Sequence, residues 1–105
     1  MKRATISQHK NKDCVHFDIF LETGEGSDLT TYEISEESWK GLLKGDQVVC
    51  FAKKNHRNIY LDFEGTITGY RGELKIVWKG SYDEKNFTKK EKIRINLENL
   101  TLLIK

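Results

Sequence analysis

Between Cys14 and Glu22 the chain alternates without a break. Val15, Phe17, Ile19 and Leu21 take one parity; Cys14, His16, Asp18, Phe20 and Glu22 take the other. Side chains alternate across a β-strand, so this stretch predicts a strand with one apolar face. The opposite face presents an imidazole and two carboxylates beside Phe20. Residues two apart on a strand face stand roughly 6.5–7 Å apart, so His16 and Asp18 can reach toward one bound group. The segment predicts one wall of a site, with its back on a core.

The period of two recurs along the chain. Residues 3–8 predict a first, edge strand, and His9 to Asp13 a polar connection. Gly24 to Asp28 is a turn, and Leu29 to Ile34 a strand returning antiparallel to the Cys14–Glu22 strand. Gln47 to Ala52 is an apolar strand. Ile59, Leu61 and Phe63 alternate with Tyr60, Asp62 and Glu64, and Leu74, Ile76 and Trp78 with Glu73, Lys75 and Val77. Gly80-Ser81 is expected to turn the chain toward residues 82–87. A hairpin around Glu98-Asn99 is expected to pair Ile93, Ile95 and Leu97 with Leu100, Leu102 and Ile104.

One helix interrupts this pattern. Ser35 caps it, Glu36 and Glu37 suit its positive N-terminal end, and Gly45 closes it. Trp39, Leu42 and Leu43, at i, i+3 and i+4, form its apolar stripe. Trp39, Phe51 and Trp78 are assigned to the core by parity. Many short strands, frequent turns and one helix predict an all-β fold, a small closed or partly open β-barrel of about eight strands.

The 105 residues make one domain, 1–105, whose 37% apolar residues suffice for one core. A net charge of +2 does not by itself argue for nucleic acid, since such binders concentrate positive charge. Lys89-Lys90-Glu91-Lys92 with Arg94 reads as a solvated strand edge. Lys53-Lys54-Asn55-His56-Arg57 reads as functional. No apolar run follows the first basic residues, and none approaches the ~20 residues a membrane span needs, so a cytoplasmic protein is expected. Cys14 and Cys50, the only cysteines, do not indicate a disulfide framework. A Cys14–His16 nucleophile has neither an orienting partner nor an oxyanion feature to accompany it.

All three histidines, His9, His16 and His56, fall close to one of two sequence-distant strands that also carry Asp18, Glu22, Glu64 and Tyr60. Histidine with carboxylate is a ligand mix for Zn²⁺, Mn²⁺ or Fe²⁺. A nearby arginine and tyrosine are suitable donors to a phosphate. On chemistry alone this predicts a metal-assisted phosphoryl site.

His16-Phe17-Asp18-Ile19-Phe20-Leu21-Glu22, preceded by His9 and followed by His56-Arg57-Asn58-Ile59-Tyr60-Leu61-Asp62-Phe63-Glu64-Gly65, resembles the 3′-phosphoesterase domain of bacterial DNA ligase D. That domain, also called the DNA polymerase ligase domain, occurs as short stand-alone proteins too. Tyr70-Arg71-Gly72 and Val77-Trp78-Lys79-Gly80-Ser81-Tyr82 fit the strands that follow in the family, so the resemblance covers roughly residues 6–83. It implies a small β-barrel with a helix that removes 3′-phosphates and 3′-terminal ribonucleosides from DNA ends. Mn²⁺ is the metal implied, with Zn²⁺ or Co²⁺ as substitutes. DNA or RNA 3′ ends would be the partners of a monomer, beside separate ligase and polymerase repair proteins.

Carried over by position, the resemblance implies that His9, Asp18 and His56 hold the metal and that His16 and Tyr60 contact the phosphate. Glu22 and Glu64 would orient histidines. The family enzymes carry an arginine two residues after the motif aspartate, where this chain has Phe20, and their first histidine interval is one residue shorter. Arg57 or Arg71 would have to supply the guanidinium from elsewhere. The alternative is a catalytically degenerate barrel that binds nucleic acid or phosphate without hydrolysis.

Overall fold

The computed structural model describes residues 2–67, 69, 71–82 and 91–95. The expected segment 82–87 beyond Tyr82, the Lys89-Lys90 pair, Tyr70, and the hairpin beyond Ile95 lie outside the described residues. The elements run β1 (Lys2–Asn11), β2 (Cys14–Leu21), β3 (Leu29–Ser35), α1 (Glu36–Leu43) and β4 (Val48–His56). A 3₁₀ turn (Asn58–Leu61), β5 (Gly65–Thr66), β6 (Glu73–Tyr82) and β7 (Lys92–Ile95) follow. The seven strands form one antiparallel sheet in the order β5-β6-β1-β2-β3-β4-β7. Among the described residues the fold is all-β with one α-helix. No helix among the described residues is long and apolar enough to cross a membrane.

β2 follows its alternation. Phe17, Ile19 and Leu21 join Ala4 and Ile6 of β1, Tyr32 and Ile34 of β3, Cys50 of β4 and Ile93 and Ile95 of β7 in the main core. These residues come from one parity of each strand, so a single sheet face supplies the core. Helix α1 covers part of that face. Ser35 Oγ accepts from the Ser38 amide at 3.1 Å, Leu42 is buried, and the Trp39 ring stacks on Phe17 with centroids 5.0 Å apart. Leu43 is 62% exposed, so the stripe narrows to Trp39 and Leu42.

Five expectations change in three dimensions. The first strand is interior, paired to β2 on one side and β6 on the other. It also runs on through His9 to Asn11, because Lys12-Asp13 suffices for the turn, with Lys12 in the left-handed region (φ 56°). Residues 59–64 are not a strand. The 3₁₀ turn buries Leu61 and leaves Ile59 64% exposed, since a three-residue repeat does not keep alternate residues on one face.

Gly80-Ser81 is not a turn either, and β6 passes straight through both residues. Gly80 is needed there because the Trp78 ring lies over it and a Cβ would collide with that ring. Finally, Phe51 is 53% exposed. It sits on the polar face of the sheet, with the Lys92 ammonium 5.8 Å from its ring centroid.

That second face carries Thr5, Ser7 and His9 of β1, which are the register partners of Phe20, Asp18 and His16. Glu33 and Thr31 of β3 continue the rows from Asp18 and Phe20, and Phe51 and Lys53 of β4 extend them. A small apolar cluster of Phe20, Leu29 and Leu61, with Tyr60 packed on it, seats the 3₁₀ turn against this face. Arg3 grips both carboxylate oxygens of Asp62 just beyond the turn. Both partners are largely exposed, so the contact fixes position more than it stabilises.

Candidate functional site

The tight β1–β2 turn sets the first part of the geometry. With two residues in the turn, the seven-residue interval makes His9 and His16 direct partners across the ladder. Their rings meet edge to face with centroids 4.6 Å apart, and His9 Nδ1 lies 3.1 Å from His16 Nε2. Asp18, two residues along on the same face, places Oδ1 3.3 Å from His16 Nε2 and Oδ2 3.8 Å from His9 Nδ1. One donor atom from each of the three residues lies within 4.8 Å of the others.

Hydrogen bonding orients the imidazoles. His9 Nε2 meets the carbonyl oxygen of Arg71 at 2.5 Å. A carbonyl has no proton to give, so Nε2 donates and the neutral ring turns its Nδ1 lone pair toward the cluster. His16 Nε2 then supplies a proton among three acceptors: His9 Nδ1, Asp18 Oδ1 and Glu33 Oε1, the last at 3.3 Å. Two imidazole nitrogens and a carboxylate converging on one proton form a donor set that fits a divalent ion of the Mn²⁺, Fe²⁺ or Zn²⁺ type. Ser7, the partner of Asp18 across the ladder, is fully buried, and its hydroxyl has no hydrogen-bond partner among the described residues.

Lys53 completes the charge balance. Its ammonium lies 3.2 Å from Asp18 Oδ1 and 3.2 Å from Glu33 Oε1. Burial alone pushes the Asp18 carboxyl up, but the hydrogen bond from His16 and the charge of Lys53 outweigh it and hold the group below the ordinary carboxylate value. Burial likewise disfavours the Lys53 ammonium, yet the charges of Asp18 and Glu33 outweigh it and raise that group. Both stay ionised at neutral pH. Lys53→Met should therefore cost about 2 kcal/mol, less than the roughly 3–5 kcal/mol for a fully buried pair, because His16 stays on Asp18. Urea unfolding of Lys53→Met, Asp18→Asn and the double variant would check this through a coupling of the same sign.

A cavity of about 360 Å³ opens beside the cluster, with His9, Asp18, His56, Arg57, Tyr60 and Arg71 in its wall. His56 Nδ1 donates to the Lys54 carbonyl at 3.0 Å, which leaves Nε2 as the nitrogen available to a ligand. The rings of His56 and Tyr60 lie edge to face, 5.8 Å apart, and both rest on Phe20, at 5.4 and 6.4 Å. Phe20 is fully buried. It supports the imidazole and the phenol from below, and its ring is not part of the cavity wall.

Of the residues singled out by sequence, His9, Asp18, His56, Arg57 and Tyr60 share this cavity. His16 meets the cluster from behind and borders a separate depression with Glu33 and Phe51. Among the described residues, the group able to hold an ion is His9, His16 and Asp18, without His56. Glu22 stands at the far end of β2, where its carboxylate accepts from the Arg3 amide, and Glu64 accepts from the Ile76 amide. Both carboxylates serve the backbone, and neither is placed to orient a histidine. Cys50 is buried and its thiol is pushed up to about 12 by that burial, which makes it inert as a nucleophile.

Sequence reasoning missed Glu33 and the pairing role of Lys53. The signal for Glu33 was present, a lone charge between Tyr32 and Ile34 in an otherwise apolar and hydroxylated strand. No protein-family model matches the chain, and no curated protein matches it significantly.

Proposed function

We propose that the chain is a metal-dependent phosphoesterase acting on the 3′ ends of nucleic acid. One observation carries this reading: a two-histidine, one-carboxylate cluster opens, through His9 and Asp18, onto the same cavity as His56, Arg57 and Tyr60. The resemblance to the 3′-phosphoesterase domain of DNA ligase D supports it from the sequence side. The reading includes Mn²⁺ as the favoured ion, closure of the sheet into a barrel, a monomeric state and a cytoplasmic location.

In this reading His9, His16 and Asp18 hold the ion, which changes the ligand set inferred from the motifs by exchanging His56 for His16. A divalent ion there supplies Lewis-acid polarisation of the phosphorus–oxygen bonds and lowers the pKa of bound water. His56 Nε2, the Tyr60 hydroxyl and the Arg57 guanidinium bind and orient the phosphate oxygens. The carbonyls of Arg71 and Lys54 fix the two imidazoles in their tautomers. Lys53 keeps Asp18 ionised and compensates the cluster's negative charge when no ion is bound.

Titration calorimetry with Mn²⁺ and phosphate release from a 3′-phosphorylated primer–template test the assignment together. His16→Ala is expected to weaken Mn²⁺ binding at least about 100-fold, more than loss of an outer-shell partner does. His56→Ala is expected to keep Mn²⁺ affinity within roughly two-fold while losing phosphate release. The reverse pattern would restore His56 as a ligand. Neither binding nor release in the unmodified chain would remove the reading.

A second reading, a barrel that binds phosphate ends without hydrolysis, is favoured by Phe20 standing where the resembled enzymes carry arginine. Affinity for 3′-phosphorylated DNA that falls steeply with salt, with no release under any metal, would select it.

A further inference from the structure

A hollow of about 200 Å³ adjoins the cavity and shares Arg57, Tyr60 and Ile67 with it. Its remaining wall is Ile59, Phe63 and Thr66. The two spaces differ in chemistry. The first gathers imidazoles, guanidinia and the cluster carboxylate, whereas the second is apolar apart from Thr66 and the bordering Arg57 and Tyr60. Phe63 meets Tyr60 edge to face at 5.6 Å, so aromatic surface is continuous from one space to the other. Ile59 on the rim is 64% exposed, although its parity in the sequence predicts burial. The 3₁₀ turn sets it there, and the Arg3–Asp62 contact holds the far end of that turn.

We propose that this hollow is a nucleobase subsite, which takes the base of the nucleotide whose 3′-phosphate occupies the adjoining cavity. The inference rests on the phosphoesterase reading and adds to it a second site, which takes the base beside the phosphate. A nucleotide pairs an anion with a flat, weakly polar ring, and the two adjoining spaces present that pair of chemistries. Arg57 stands at their boundary, where a guanidinium serves either part, bonding phosphate oxygens or stacking on a base. Aromatic and apolar walls accept any base face, and the Thr66 hydroxyl can meet a base edge. A sugar alone would leave Ile59 and Phe63 without polar partners to offer it. An acyl chain would make no use of Arg57 or Thr66.

The test is direct binding to the full-length chain with Mn²⁺ present, by calorimetry. The probes are a 3′-nucleoside monophosphate, ribose 3-phosphate and inorganic phosphate. Stacking of one base predicts the nucleotide to bind roughly 5- to 100-fold tighter than ribose 3-phosphate. Ile59→Ser, a change at an exposed rim position, is expected to erase most of that advantage, with inorganic phosphate affinity as the internal reference. Equal binding of nucleotide and ribose phosphate would overturn the subsite, as would an unchanged advantage in both Ile59→Ser and Thr66→Ala. Binding with the base advantage but no hydrolysis of any ester would keep the subsite and remove the phosphoesterase reading. Hydrolysis with no base advantage would do the opposite.

Discussion

Asp18→Asn is expected to lower Mn²⁺ affinity at least about 100-fold and Mn²⁺-dependent phosphate release by roughly 10³-fold. The amide has nearly the shape of the carboxylate but brings no charge to the two imidazole nitrogens. The change also alters acid stability, with a sign that follows from the site's electrostatics. The Asp18 carboxyl is held below its ordinary value in the folded chain, so its contribution is present above the unfolded value near ~4 and is lost as pH falls through the folded one. The Lys53 ammonium is raised, so its contribution is complete below about 10.4 and is lost only as pH rises beyond that. The pair contributes fully between about pH 5 and 9. Between about pH 5 and 2 the Asp18→Asn variant should lose stability less steeply than the unmodified chain. Urea midpoints across that range check the slope, and calorimetry checks the metal. Retained Mn²⁺ affinity in Asp18→Asn would mean that the cluster is not the ion's site.

Phe20→Arg, which installs the residue that the resembled enzymes carry, is expected to destabilise the fold by at least about 4 kcal/mol and to bring no gain in phosphate release. Phe20 is fully buried among Leu29, Leu61 and Tyr60, and no carboxylate stands in that cluster to pair a guanidinium. Phe20→Leu keeps the site apolar but removes part of the buried ring's volume and should cost about 1–2 kcal/mol. It loosens the support under His56 and Tyr60 and is expected to raise the KM for phosphate esters more than it lowers kcat. Thermal unfolding separates the two variants, since ~1 kcal/mol shifts Tm by roughly 4 °C or more at this size. An arginine variant that melts within a few degrees of the unmodified chain and hydrolyses faster would show that position 20 faces the phosphate.

Much of the sheet was legible because period-two alternation is a local property. β2, β3 and the capped helix follow from runs such as Val15–Leu21 and Ser35–Leu42, in which each residue's side is set by its neighbours. The 3₁₀ turn was not legible, because Ile59, Leu61 and Phe63 imitate a strand in spacing, while Leu61 alone of the three packs into the distant cluster of Phe20 and Leu29. Gly80 reads as a turn signal, but its lack of a side chain serves a ring lying across the strand. Phe51 reads as core because Val48 to Phe51 is apolar on both parities, and parity alone does not say which face of the sheet is covered.

The same division holds at the site. The residues able to do the chemistry, His9, His16, Asp18, His56, Arg57 and Tyr60, were evident from residue type and from their grouping near two stretches. Which of them meet was not. A two-residue turn makes His9 and His16 partners across a ladder, and the pairing of β3 with β4 brings Lys53 onto Asp18 and Glu33. The sequence by itself determined β2, β3, the capped helix and the inventory of donors, since these depend on alternation and side-chain chemistry within a few residues. Only the tertiary structure decided the membership of the donor cluster, the burial of Phe20 and the exposure of Ile59, because register and packing join segments tens of residues apart that share no local signal.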